Sequence, residues 1–225
     1  MRSTRRSYLA ALGGTAALGS LAGCFSALEG NGGGNGLPEG CDVGTLDSVS
    51  SLPRPTLGPE DAPVTVEVFE DFACPHCKTF TESVYPEIRS NYVDSGDVRY
   101  RFFDYPIPVN EQWSWAAASA ARAVQDRGDS EAFFAFTEGV YENQDRLGEE
   151  GYQIAHDLAN DLDVDGCEVA AAADQGTYRD VVESDKQEGS ERGVPGTPAV
   201  YVDGDLPDGY GWETVSGAIE SQLTD

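Results

Sequence analysis

Positive charge is scarce in this sequence. Lysine occurs only at Lys78 and Lys186, and 14 basic residues face 40 acidic ones, giving a formal net charge of −26 over 225 residues. A chain so acidic repels polyanions, so nucleic acid and acidic membrane surfaces are not expected as partners. Histidine is nearly missing as well, with only His76 and His156. A zinc centre usually draws on a second cysteine pair or on several histidines at ligand spacing, so no metal site is expected. Long apolar runs are absent: the stretch Tyr8 to Ala22 is about fifteen residues long, short of the ~20 that a spanning helix needs. No block of acids marks an acidic tail. Glu29 is the only acid before Glu39, so the acidity belongs to the folded part. A spread acid excess with so few lysines resembles proteins adapted to high salt, where screening is strong. An ordinary acidic secreted protein is the other reading.

What is present divides the chain. Residues 1–23 read as an export signal, to be kept out of the fold. Ser3 to Leu9, with Arg5 and Arg6, resembles a twin-arginine signal. Leu21-Ala22-Gly23-Cys24 resembles a lipoprotein box, in which Cys24 would carry the lipid and begin the mature chain. A different secretion signal with an incidental cysteine is the alternative. Residues 24–36 hold the Gly-rich run Gly30 to Gly36, which has nothing with which to build a core and reads as a flexible tether. Residues 37–62 read as an extended arm, with an edge strand near Thr45 to Val49. Residues 63–225 read as one domain, and at 40% hydrophobic content the chain can bury a sizeable core.

Within that domain, Val64 to Phe69 alternates and is β-branched, which predicts a strand. Thr79 to Asn91 predicts a helix kinked at Pro86, and Val98 to Phe103 a second strand. From about 110 to 190 the chain is rich in alanine and in helix-spaced apolar residues. Helices are expected over Trp113 to Gln125, Ser130 to Tyr141, Tyr152 to Leu162, Cys167 to Ala173 and Tyr178 to Glu191, separated at Gly128, Gly148, Gly166 and Gly176. Pro198 to Val202 reads as a strand, Asp203-Gly204 as a tight turn into a paired strand, and Trp212 to Leu223 as a closing helix. The fold class is α/β, with an all-helical insertion.

The chemistry centres on Cys74-Pro75-His76-Cys77, between the first strand and the first helix. Cys74 falls at the first turn, where unpaired N–H groups and the helix dipole favour a thiolate, the reactive form. Cys77 is one turn on and can close a disulfide with it. Pro75 suits the helix start, and His76 places a positive charge beside the thiolate. These features point to dithiol–disulfide exchange.

Cys74 to Cys77, followed after about 115 residues by Gly193-Val194-Pro195-Gly196-Thr197-Pro198 and a strand, resembles the DsbA-like branch of the thioredoxin-fold oxidoreductases. The resemblance runs from Pro63 to the C-terminus and implies a thioredoxin fold with a helical insertion at about 110–190. It implies that Cys74 is an exposed nucleophile forming the mixed disulfide, and Cys77 its buried partner. Pro198 would be a cis-proline facing them, and Thr197 would tune them and contact substrate backbone. The redox-active disulfide Cys74–Cys77 would need no further cofactor. The implied activity is oxidation of thiols in exported proteins at the outer face of the cell membrane, with a separate redox partner restoring the disulfide. A reductase or isomerase on the same fold, or a non-enzymatic chaperone or metal-binding module, are the alternatives.

One departure stands out. Related folds carry a buried acid six residues before the first cysteine, and Val68 occupies that position. The nearest acids are Glu67, Glu70 and Asp71, of which Asp71 could take the proton role or could be a capping or surface acid. Cys41 and Cys167 could form a structural disulfide tying the arm to the insertion, or remain free thiols. His156 reads as an ordinary helix residue. Trp113, Trp115, Phe133, Phe134 and Phe136 read as core, and Tyr105 to Pro108 as a loop that could rim the site.

Overall fold

A computed structural model describes residues 36–224. The expected signal, Cys24 and nearly all of the tether lie outside the described residues. The fold is built on a four-stranded sheet in the order β1-β3-β2-β4, with β1 Thr56–Leu57, β2 Val64–Glu70, β3 Val98–Asp104 and β4 Ala199–Val202. The β-branched run of β2 makes it the central strand. It pairs parallel to β3, Val64 opposite Val98 through Glu70 opposite Asp104, and antiparallel to β4, Val66 opposite Val202. Its alternate residues Val64, Val66 and Val68 enter one core while Phe69 enters another on the opposite face.

The first helix, α1 Pro75–Ser83, starts at Pro75 and stops at Val84. Pro86 has no N–H to continue the ladder. The expected single kinked helix is therefore broken into α1, the short α2 Tyr85–Ile88, and a π-helical turn Arg89–Val93. The edge strand also differs from expectation. It is Thr56–Leu57, antiparallel to β3, and residues 45–49 form no strand. Those residues are held instead against the insertion, where the Val49 N–H donates to the Thr177 carbonyl at 2.9 Å.

The insertion consists of α3 Glu111–Arg127, α4 Ser130–Glu142, α5 Leu147–Asp161, α6 Gly166–Gln175 and α7 Arg179–Glu191. Asn110, Asp129 and Asp165 cap α3, α4 and α6 by accepting from backbone N–H groups. Gly148 and Gly166 fall in the first turns of α5 and α6, just past the breaks, whereas Gly128 and Gly176 end α3 and α6. The alanines serve packing. Ala116, Ala120 and Ala123 of α3, with Ala170, Ala172 and Ala173 of α6, are buried, and such small side chains let the two axes approach closely. Trp113, Phe133, Phe134 and Phe136 are core, whereas Trp115 is only half-buried. Asp203 and Gly204 both take positive φ and close a turn, but only an isolated Val202–Asp205 bridge follows where a strand was expected. The last helix is α8 Trp212–Leu223. Among the described residues no helix is long and apolar enough to cross a membrane.

A buried ionic network locks the insertion to the sheet. The Arg122 guanidinium, 1% exposed, donates to Asp104 of β3 at 2.6 Å and to Asp185 of α7 at 2.5 Å. Arg54 of the arm reaches Asp185 at 2.8 Å. Burial lifts the Asp104 carboxyl to about 6 against the pull of Arg122, with Asp185 adding to the rise.

Candidate dithiol active site

Three segments converge on the two cysteines. Cys74 is the N-cap of α1, in extended backbone, with its own side chain free of any capping bond. Cys77 stands inside the first turn. From across the sheet, the cis peptide Thr197–Pro198 brings the Thr197 carbonyl to 3.4 Å from Cys74 Sγ. From the insertion, Gln144 Nε2 donates to the carbonyls of Phe72 and Cys74 at 2.8 and 3.0 Å, fixing the loop that carries the first cysteine.

The two thiols are free of each other and chemically unequal. Cys74 is lowered to about 5. The Cys77 thiol stabilises its thiolate most, burial opposes this, and Thr197 and the N–H groups of Cys77 and His76 add to the lowering. Cys77 is pushed well above the usual thiol range by burial, by the neighbouring Cys74 and by the charge of Glu70. The first sulfur thus ionises the more readily, and the second is held as a thiol. Contrary to the implied exposed nucleophile, Cys74 is only 3% exposed. The Thr197–Pro198 segment lies over it. His76 and Pro75 are exposed, and the His76 imidazole turns to Tyr210, its Nδ1 3.0 Å from the Tyr210 hydroxyl. The help Cys74 draws from this residue is the backbone N–H.

This geometry has known counterparts. The pattern of a family described as thioredoxin matches residues 50–221. The chain belongs to that family. It is 29% identical over 187 residues to disulfide bond formation protein D of Bacillus subtilis, spanning 79% of this chain and 82% of the relative. It is 31% identical over 176 residues to a probable disulfide bond formation protein D of Bacillus cereus, spanning 75% and 78%. The crystal structure of oxidised BdbD from Bacillus subtilis superposes with a TM-score of 0.70 at 29% identity, covering 80% of this chain and all of that one. The chain is a DsbA-like protein thiol–disulfide oxidoreductase.

Against that family the acidic residues stand out. Val68 faces the core, and Glu70, two residues on, lies on the same face of β2. Glu70 is 2% exposed. Burial raises its carboxyl to about 8, opposed by Thr81, whose Oγ1 donates at 3.1 Å, and by the nearby Tyr141 hydroxyl. The Tyr141 hydroxyl is itself fully buried and makes no hydrogen bond of ordinary geometry among the described residues. A narrow cleft lined by Glu70, Thr81, Thr137 and Glu138 opens on this group. Asp71 is neither on the surface nor a helix cap. Its carboxylate accepts the N–H groups of Ala73 and Ile107 at 2.6 Å each, which ties the 105–108 loop to the active-site loop. Its own N–H donates to Cys77 Sγ at 3.4 Å. The period-two pattern of β2 could have singled out Glu70. Nothing local in the sequence singles out Gln144, Tyr141 or Tyr210.

Cys41 of the arm and Cys167 of α6 are joined as a disulfide, beside His156 of α5.

Proposed function

We propose that this oxidoreductase is a disulfide donor for exported proteins, acting outside the cytoplasm and anchored by a lipid on Cys24. The observation that carries the direction is the low value of the Cys74 thiol. A thiolate stabilised in the reduced form makes the disulfide the less stable state, and so a stronger oxidant.

In the proposed cycle Cys74 and Cys77 begin as a disulfide. A client thiolate attacks Cys74 Sγ, a client–Cys74 bond forms, and Cys77 leaves as a thiolate. Its raised value makes it take up a proton, and Glu70, protonated below about 8, is the adjacent donor. A second client thiolate then attacks its own mixed disulfide. Cys74 leaves as a stabilised thiolate, and the client departs oxidised by two electrons. Thr197 and Pro198, beside the open surface formed by Pro195, Leu206 and Tyr210, would meet the client backbone. A separate redox partner restores the disulfide, and no metal or organic cofactor enters the cycle.

The test is the equilibrium potential of the Cys74–Cys77 pair against a dithiol buffer in high salt. A value near about −120 mV fits a donor, and one near about −270 mV makes the protein a thioredoxin-like reductant.

A further inference from the structure

The thiol cycle leaves one cluster of reactive groups unused. Cys41 in the arm, His156 in α5 and Cys167 in the first turn of α6 each bring one donor atom, and all three lie within 4.8 Å of one another. Cys41 and Cys167 are joined as a disulfide.

His156 is held as a ligand histidine would be. Its Nδ1 is 2.7 Å from Asp157 Oδ1. A carboxylate taking one ring N–H fixes the tautomer and makes the other nitrogen the one that carries the lone pair, the arrangement that supports metal-bound imidazoles. Asn160 Nδ2 donates to that nitrogen at 3.2 Å, a bond that a cation would displace, and Asn160 Oδ1 accepts the Gly166 N–H at 3.1 Å. The start of α6 presses against the ring so closely that a Cβ at Gly166 would stand 2.9 Å from the imidazole Cδ2 and 2.3 Å from the His156 carbonyl oxygen. A side chain there would force the helix away from the histidine.

The third donor does not depend on the disulfide for its place. The arm is also held by Leu46 N–H to Gln175 Oε1 at 2.8 Å, Gln175 Nε2 to the Gly44 carbonyl at 3.1 Å, and Val49 N–H to the Thr177 carbonyl. Arg54 anchors it further along. Cys41 therefore stays beside α6 when the sulfurs part.

We propose that reduction of the Cys41–Cys167 disulfide opens a Cys2His site for a borderline-soft divalent cation, with Zn2+ as the type. A dithiol supplies two electrons and two protons and closes to its own disulfide, while Cys41 and Cys167 become thiols. The cation then displaces both thiol protons. Two thiolates balance its charge, the neutral imidazole is the third ligand and water completes a tetrahedron. Metal–ligand bonds of about 2.0–2.3 Å place tetrahedral donors about 3.5 Å apart, so the two sulfurs move apart once their bond is cut, and none of the three donors now stands more than 4.8 Å from another. The α6 N-terminus favours the Cys167 thiolate. The site is thus a redox-gated metal centre remote in sequence from the Cys74–Cys77 pair.

The experiment uses the full chain carrying Cys24→Ser, Cys74→Ser and Cys77→Ser, reduced with a phosphine and titrated with Co2+. One equivalent should bind with thiolate-to-cobalt charge-transfer absorption, yield to Zn2+, and be absent from the oxidised protein. His156→Ala should weaken binding by tenfold or more, with circular dichroism unchanged. No charge-transfer band in the reduced chain, equal binding by His156→Ala, or loss of the helical signal on reduction alone would each overturn the proposal.

Discussion

Cys74 Sγ lies 3.4 Å from the Thr197 carbonyl, while the hydroxyl of the same threonine is buried without a hydrogen-bond partner among the described residues. The thiol donates to the carbonyl. The thiolate cannot, but it can accept from the hydroxyl, so one residue serves both protonation states. A bond to a charged group contributes about 1.5–3 kcal/mol. Thr197→Val, which keeps the shape, should therefore raise the Cys74 value from about 5 by about one unit. At neutral pH that is about 1.4 kcal/mol and lowers the potential by about 30 mV. Thiolate ultraviolet absorbance against pH and a redox titration check both.

His76 acts on Cys74 through its backbone, which every side chain retains. His76→Ala should move the Cys74 value less than Thr197→Val does. A larger shift in the alanine variant would return the tuning role to the imidazole.

The two raised and lowered groups have opposite pH signatures. Glu70 is raised when folded, so its stabilisation is full below about 4.5 and is lost as pH rises through about 8. Cys74 is lowered when folded, so its contribution is full above about 9 and is lost as pH falls through about 5. Between pH 5 and pH 8 they oppose. The reduced Glu70→Gln variant should therefore gain stability with rising pH across this window, and Cys74→Ser should lose it. Urea midpoints at several pH values separate the two slopes.

Among the described residues Arg122 bridges the buried carboxylates Asp104 and Asp185, while Arg54 pairs with Asp185 and not with Asp104. Arg122→Met leaves those two charges without their shared partner. The expected loss is about 3–5 kcal/mol in a urea melt, the cost typical of an orphaned buried charge. Thiol exchange by the fraction that remains folded should persist.

With a net charge of −26, self-repulsion opposes the compact state, and salt screens it. The midpoint of thermal unfolding should rise as NaCl increases from about 0.1 M, where the Debye length is about 10 Å, to about 1 M, where it is about 3 Å. A midpoint that does not move would remove the high-salt reading of the composition.

The elements with strong local signals were legible from residues alone. The β-branched β2, the capped helices α3, α4 and α6, and α8 over Trp212–Leu223 follow from periodicity and end residues. The break after α1 and the position of the edge strand did not. Each depends on which backbone groups find partners in space: Phe102 N–H takes the Pro55 carbonyl, which puts the edge at residues 56–57 and away from 45–49.

For the site, spacing alone determined that Cys74 and Cys77 face one another at a helix start, because a helical turn puts residues three apart on one face. Only the tertiary structure decided what surrounds them. Thr197 arrives from 123 residues away to cover Cys74, Gln144 from the insertion to hold its loop, and Tyr210 to take the His76 ring. Burial at the end of β2 makes Glu70 a group that holds a proton to about 8. Desolvation and long-range hydrogen bonds depend on what packs around an atom, and residue order does not specify that locally.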